Sequence, residues 1–231
     1  MCVIEQTAES DILTKEDFFE QFTDGMAAQV YGKTADNNGA AGPWVNPQAA
    51  IKDAKIDRML NFLGASDKMW DPAKMEIDVT LAFLNVYSAW ARGESDSLPK
   101  DVIFPQMLEG LKALIIQKKQ EGMSFEFRNL CVRKVELVLV NNRADNKEDE
   151  FVARISAHAQ KRMLQNGTVL LSDENVMPFT EYWTFGPHEG RWKLKEILSK
   201  VAGESALKGE NKDEDSTPMQ LEWYYTKKRA Y

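Results

Sequence analysis

The chain is 231 residues long with a formal charge of −7, and its 10% aromatic content sets it apart from disordered sequences. That length suffices to bury a hydrophobic core, and the acidic balance excludes a general nucleic-acid binder, whose footprint is basic. The only cysteines, Cys2 and Cys131, lie too far apart to suggest a zinc motif or a redox pair, which fits a reducing compartment. No apolar run approaches the ~20 residues that a membrane-spanning helix needs. The opening MCVIEQTAESDILTKED has neither the basic region nor the apolar stretch of a secretory signal, and it is not Arg-rich like a mitochondrial targeting peptide. The expectation is a soluble chain with no cofactor and no metal.

Residues 1–45 are expected to hold one helix and a mobile loop. Thr14-Lys15-Glu16-Asp17 is a capping-box-like start, after which Phe18, Phe19 and Phe22 fall on one side of a short helix. Residues 32–42, rich in Gly, Asn and Ala, read as the loop. Residues 46–70 form a lead-in helix opened by Asn46-Pro47, with Ile51, Ile56, Met59, Leu60 and Leu63 on its inner face and Gly64 as its stop. Residues 71–202 are the domain proper. Asp71-Pro72 caps a long helix with the stripe Met75, Val79, Ala82, Phe83, Val86 and Trp90, and Arg92-Gly93-Glu94-Ser95 ends it. A further helix covers about 104–121 and presents Met107, Leu108, Leu111, Leu114 and Ile115, with Gly122 closing it.

The first strand is expected over 131–140, with Val135, Leu137 and Leu139 on one face. A polar loop over 141–147 leads to the strand that starts at Phe151. There Phe151, Ala153, Ile155, Ala157 and Ala159 share one face, and Val152, Arg154, Ser156, His158 and Gln160 share the other. Asn166-Gly167 supplies the positive φ angles of a tight hairpin, and Gly186-Pro187-His188-Glu189-Gly190 separates PFTEYWTF from RWKLKEIL. Two helices followed by an antiparallel meander make an α+β domain with helices stacked on one sheet face. Because the apolar face of the Phe151 strand is mostly alanine, a helix over it must approach closely or leave a hollow.

Residues 203–231 read as an acidic linker, GENKDED, and a C-terminal helix starting at Ser216-Thr217-Pro218. That helix sets Trp223, Tyr224 and Tyr225 beside Lys227, Lys228 and Arg229. Such a combination suits an anionic membrane surface or a partner groove, or a helix docking its aromatics on its own domain.

No phosphate loop, HExxH, GxSxG or EF-hand spacing is present. The catalytic candidates are His158, mid-strand on the polar face, and Glu181, which shares its side with Phe179 and Trp183. A carboxylate among aromatics can act as a proton acceptor, and the plainer alternative pairs Glu181 with Arg154 or Lys193. His188 reads as a solvated turn residue. Arg128, Arg133, Lys134, Arg154, Lys161 and Arg162 read as a scattered, solvated basic face. Asn166-Gly167-Thr168 matches a glycosylation sequon that its hairpin role already explains.

From Trp70 to Leu198 the chain resembles the Tim-forty-four-like domain, the C-terminal domain of the mitochondrial import-motor scaffold and its bacterial relatives. The resemblance rests on FLNVYSAWARGE, LEGLKAL, FRNLCVRKVELVLV, and above all PFTEYWTF followed by GRWKLKEI, with RMLNFLGASDKMWDPAKM as a lead-in. It implies the cone-like fold of nuclear-transport-factor-two-like proteins, with helices packed on a curved antiparallel sheet around a hollow. It also implies a non-enzymatic scaffold, peripheral to an inner or cytoplasmic membrane and linked to protein translocation. On this reading Phe83, Tyr87, Trp90, Leu111, Ile115, Ala157, Ala159 and Trp183 surround an apolar pocket for a lipid or a hydrophobic peptide segment. The same residues at the same spacing also suit a filled core. Two other functions remain open: an isomerase- or hydratase-type enzyme with an ionisable group in the cone, and a homodimeric component using an open sheet face.

Overall fold

The computed structural model describes residues 46–143, 145–211, 217–220 and 222. The helix expected over 14–22, the loop over 32–42 and the expected contact residues Trp223, Tyr224, Tyr225, Lys227, Lys228 and Arg229 lie outside them.

Three helices precede the sheet. Helix α1 (Pro47–Ser66) starts where Asn46 caps the Ala49 N–H. Its buried stripe is Ala49, Lys52, Ile56, Met59, Leu60 and Leu63, whereas Ile51 is 62% exposed. Five residues separate Ile51 from Ile56, which at 100° per residue puts Ile51 about 140° off the stripe. Gly64 does not end the helix. The Asp67 N–H closes it onto the Leu63 carbonyl, and a Cβ on Gly64 would sit 2.9 Å from the Trp70 carbonyl oxygen as the chain returns. Helix α2 (Pro72–Arg92) carries Asp71 as its cap, and Gly93, at φ 61°, ends it in the left-handed conformation. The expected stripe from Met75 to Trp90 is buried throughout. Helix α3 (Pro105–Gln120) buries Leu108, Leu111, Leu114 and Ile115.

The sheet has five antiparallel strands. They are β1 (Met123–Asn141), β2 (Glu150–Gln165), β3 (Thr168–Ser172), β4 (Met177–His188) and β5 (Arg191–Leu198). The order is β1-β2-β4-β5, with β3 pairing the far end of β2 beside β4. Strand β1 begins eight residues before the expected start. Register shifts at Arg128/Cys131, Val132/Lys134 and Leu137/Leu139, with Asn129 at φ 55°, bend it around the helices. The last shift turns Leu139 to the face opposite Leu137, so the expected shared face of Val135, Leu137 and Leu139 does not hold. Asn166 and Gly167, at φ 49° and 81°, form the first hairpin turn. The second reversal is tighter than expected: Gly186, Pro187 and His188 still pair with β5, and Glu189-Gly190 makes the turn. Pairing of β2 with β4 ends at Phe151–Phe185, so the missing N–H of Pro187 costs no β2 bond.

Helices α2 and α3 fill the concave face, where Phe151, Phe185 and Trp192 meet at ring distances of 5.1 and 4.9 Å. The convex face is covered too. Val152, Arg154, Ser156 and His158 are all buried. A fourth helix, α4 (Lys200–Lys208), packs on part of this face with the start of α1, and Ala49, Val138, Val152, Tyr182 and Leu207 form a second small core. The Lys52 ammonium donates to the carbonyls of Ala206, Leu207 and Gly209, clasping the C-terminal end of α4. The outer edge of β1 is covered as well, because Leu137 N–H donates to Asp53 and Val140 N–H to Asn211.

Candidate functional site

The alternation of β2 does not stop at Ala159. Continuing by two brings Lys161 and Met163 onto the concave face. Register then places Phe127 of β1 opposite Lys161, and Phe179, Glu181 and Trp183 of β4 opposite Ala157, Ile155 and Ala153. Tyr87, on the inner face of α2, drops into this group. An apolar interior is thus closed at one end by three ionisable side chains, Tyr87, Lys161 and Glu181.

Glu181 is half-buried. Its Oε1 accepts the Tyr87 hydroxyl, and its Oε2 accepts the Trp183 indole N–H at 2.8 Å. Tyr87 packs against Phe83 at 4.6 Å and Phe127 at 4.8 Å. Burial, reinforced by the Glu181 charge, pushes its hydroxyl well above the usual range, so it stays protonated. The Lys161 ammonium lies 3.6 Å from the centre of the Phe179 ring. Burial lowers its pKa, and the charges of Glu181 and Asp173 oppose that shift. Asp173 also holds the strand locally, accepting the Lys161 backbone N–H at 2.9 Å. With two donors on its oxygens, Glu181 is a poor free base and a good anchor between α2 and β4.

The eight residues expected to surround a pocket are all buried, and all but Ala159 fall in one core cluster. Phe83 lies 5.2 Å from Trp183, and Trp90 lies 5.3 Å from Phe125. Leu111 and Ile115 come from α3, and Ala157 and Ala159 from β2. Trp90 and Ile115 also border a small cleft of about 110 Å³.

His158 takes no part in the concave group. It faces the convex side, where the Arg133 Nε donates to its Nδ1 at 2.7 Å. Burial first, and the Arg133 charge second, hold its imidazole below the usual range. Glu181 pairs with neither Arg154 nor Lys193. Arg154 binds Glu136, itself fully buried, and Ser156 at 2.9 Å, while Lys193 binds Glu189 at 2.6 Å. Arg154 and Lys161 are therefore not part of a solvated basic face. His188 is not a free turn residue either, since its ring packs 5.1 Å from that of Phe104.

A separate cleft of about 460 Å³ opens between the α1–α2 connection, the outer side of α2 and the β4–β5 turn. Among the described residues no three His, Cys, Asp or Glu side chains gather as metal ligands, and no helix is long and apolar enough to cross a membrane.

Helices curled into a bent sheet, with this order of elements, define an α+β domain of the cone-like class. The family model of the Tim44-like domain matches residues 58–199, and the chain belongs to that family. No curated protein matches the chain in sequence. Among solved structures, the intermembrane-space region of the chloroplast protein ARC6 is 16% identical, over 50% of this chain and 93% of that one, at a TM-score of 0.32. A polyketide cyclase-like protein of Xanthomonas campestris pv. campestris is 12% identical, over 57% and 98%, at 0.26. A designed β-sheet protein is 12% identical, over 53% and 86%, at 0.28. Likenesses this low say nothing about function.

Proposed function

We propose that this chain is a non-enzymatic binding module that works at the surface of an inner or cytoplasmic membrane and engages lipid through one end of its sheet. The observation that carries this reading is the β3 hairpin, where Val169 and Leu170, with Val176 just beyond, are exposed large apolar side chains. Across β2, Arg128, which pairs with Glu126 at 2.9 Å, and Arg133, which bonds His158, are exposed on β1. Exposed apolar side chains on a sheet end that also carries arginines are what an interfacial contact can use at an anionic surface. Membership of the Tim44-like family supports a scaffold over an enzyme, and any link to protein translocation rests on that membership alone. Trp223, Tyr224, Tyr225, Lys227, Lys228 and Arg229 are proposed as a second contact, on their composition.

One observation favours the small-molecule enzyme reading: Lys161 and Glu181 point into the cone. Against it, both Glu181 oxygens already accept hydrogen bonds. Native mass spectrometry of the purified chain separates the two, since a stoichiometric polar small molecule would favour the enzyme.

The membrane reading is tested by co-flotation with neutral and anionic vesicles at low and high salt. The full chain is compared with a version ending after Asn211, which keeps the Asn211 bond to β1. Salt-sensitive binding to anionic vesicles is expected. Loss with the tail assigns the contact to residues 223–229, and persistence assigns it to the domain. Absence of binding to either vesicle refutes the reading and leaves a hydrophobic peptide segment as the partner to seek.

A further inference from the structure

Opposite its core stripe, helix α2 carries a second apolar side. Ile77, Leu81 and Leu84 are 56%, 41% and 38% exposed there, and Ala91 prolongs the row as a further exposed residue. Steps of four, three and seven keep these side chains within about 80° of one another over about 21 Å of helix. That spacing is the seam of a two-helix coiled coil, with Ser88 at the position it skips. Neither the concave cluster nor the membrane reading uses this row. The 460 Å³ cleft abuts its amino end, where Ile77 forms part of the wall.

We infer that this face of α2 joins two copies of the chain, packed antiparallel about a two-fold axis at Leu81. The row is its own complement, since Leu81 meets Leu81 of the second copy and Ile77 meets its Leu84. Charge selects the antiparallel direction. At the amino end Arg191 is shared by Asp78 and Asp101, Lys74 pairs with Asp71, and Asp67 and Glu76 outnumber Lys68. Carboxylates are therefore in excess there. At the carboxyl end the signs balance, with Arg92 beside Glu94 at 3.9 Å, Lys118 beside Glu121 at 2.8 Å, and Lys119 and Asp96 adding one charge of each sign. A parallel pair would bring two carboxylate-rich ends together. An antiparallel pair sets each against a balanced end and aligns the helix dipoles head to tail. In this register Arg92 and Glu94 of the second copy arrive beside the cleft, whose lining offers both Asp67 and Lys68 as partners of opposite sign. An occupant bearing both signs thus meets a lining that bears both.

Sedimentation of the full chain over a dilution series is expected to show a monomer–dimer equilibrium. Ile77→Asp with Leu81→Asp changes exposed positions only, so the circular dichroism spectrum should stay unchanged while association weakens roughly tenfold or more. Direction and register are read by single cysteines placed in a Cys2→Ser, Cys131→Ser background. Leu81→Cys should link to its own copy by a disulfide faster than Ile77→Cys or Leu84→Cys alone, and those two should link to each other when mixed. A monomer at every concentration, a dimer indifferent to the aspartate pair, or Ile77→Cys self-linking faster than Leu81→Cys would each overturn the inference.

Discussion

Glu181 accepts hydrogen bonds from Tyr87 on α2 and Trp183 on its own strand, tying helix to sheet through one carboxylate. Tyr87→Phe leaves Oε1 without that donor in a half-buried setting. The expected cost is about 1–3 kcal/mol by urea denaturation, and unchanged stability would show that the bond carries nothing. Asp53 offers a second test. Burial pushes its carboxyl from 3.8 up to about 6, against the opposing pull of the Leu137 N–H. The folded chain therefore holds a proton that the unfolded chain loses first. Its contribution to stability falls as pH rises from about 4 to 6, and the penalty is complete above that window. Asp53→Asn keeps an acceptor for Leu137 without the charge. It should raise the melting temperature at about pH 7.5 and change little at about pH 4, by a modest amount because Asp53 is partly solvated. Equal shifts at both pH values would contradict this. Lys161 was legible in the sequence, since it continues the Phe151–Ala159 alternation by one more step. Its charge sent it to the solvated face instead.

Helix α4 is the element the sequence hid most completely. Its nine residues include an exposed Val201, and its one large buried side chain, Leu207, is too little for a periodic pattern to register. Its cap was readable: Ser199 accepts from the Ala202 N–H at 3.1 Å. Gly203 lets it lie flat on the sheet, because a Cβ there would come within 2.2 Å of the Tyr182 ring. Gly203→Ala should cost about 1–3 kcal/mol and raise amide exchange across Lys200–Lys208. Normal protection there would mean that the contact is loose. The long helices were legible because their stripes and caps are intact, as at Asp71 and Gly93. Strand β1 was only half legible, since its bulges break the period-2 pattern on which strand recognition depends.

Across the molecule, the order of two long helices and a meander was enough to read the α+β class, and the family was legible through the resemblance carried by stretches such as PFTEYWTF and GRWKLKEI. The number of covered faces was not, because β2 has a polar face that looks solvated until Arg154 finds Glu136 beneath α1 and α4. The concave group needed both β-register and a helix side chain to assemble, so no single segment announced it. The account rests on the β3 hairpin as the membrane contact, and vesicle co-flotation of the full chain against a Val169→Ser, Leu170→Ser, Val176→Ser variant tests it. All three side chains are exposed, so the fold should be unaffected. Flotation with anionic vesicles should fall roughly tenfold or more in the variant. Equal flotation of both proteins would contradict the assignment, and no flotation of either would contradict the membrane role itself.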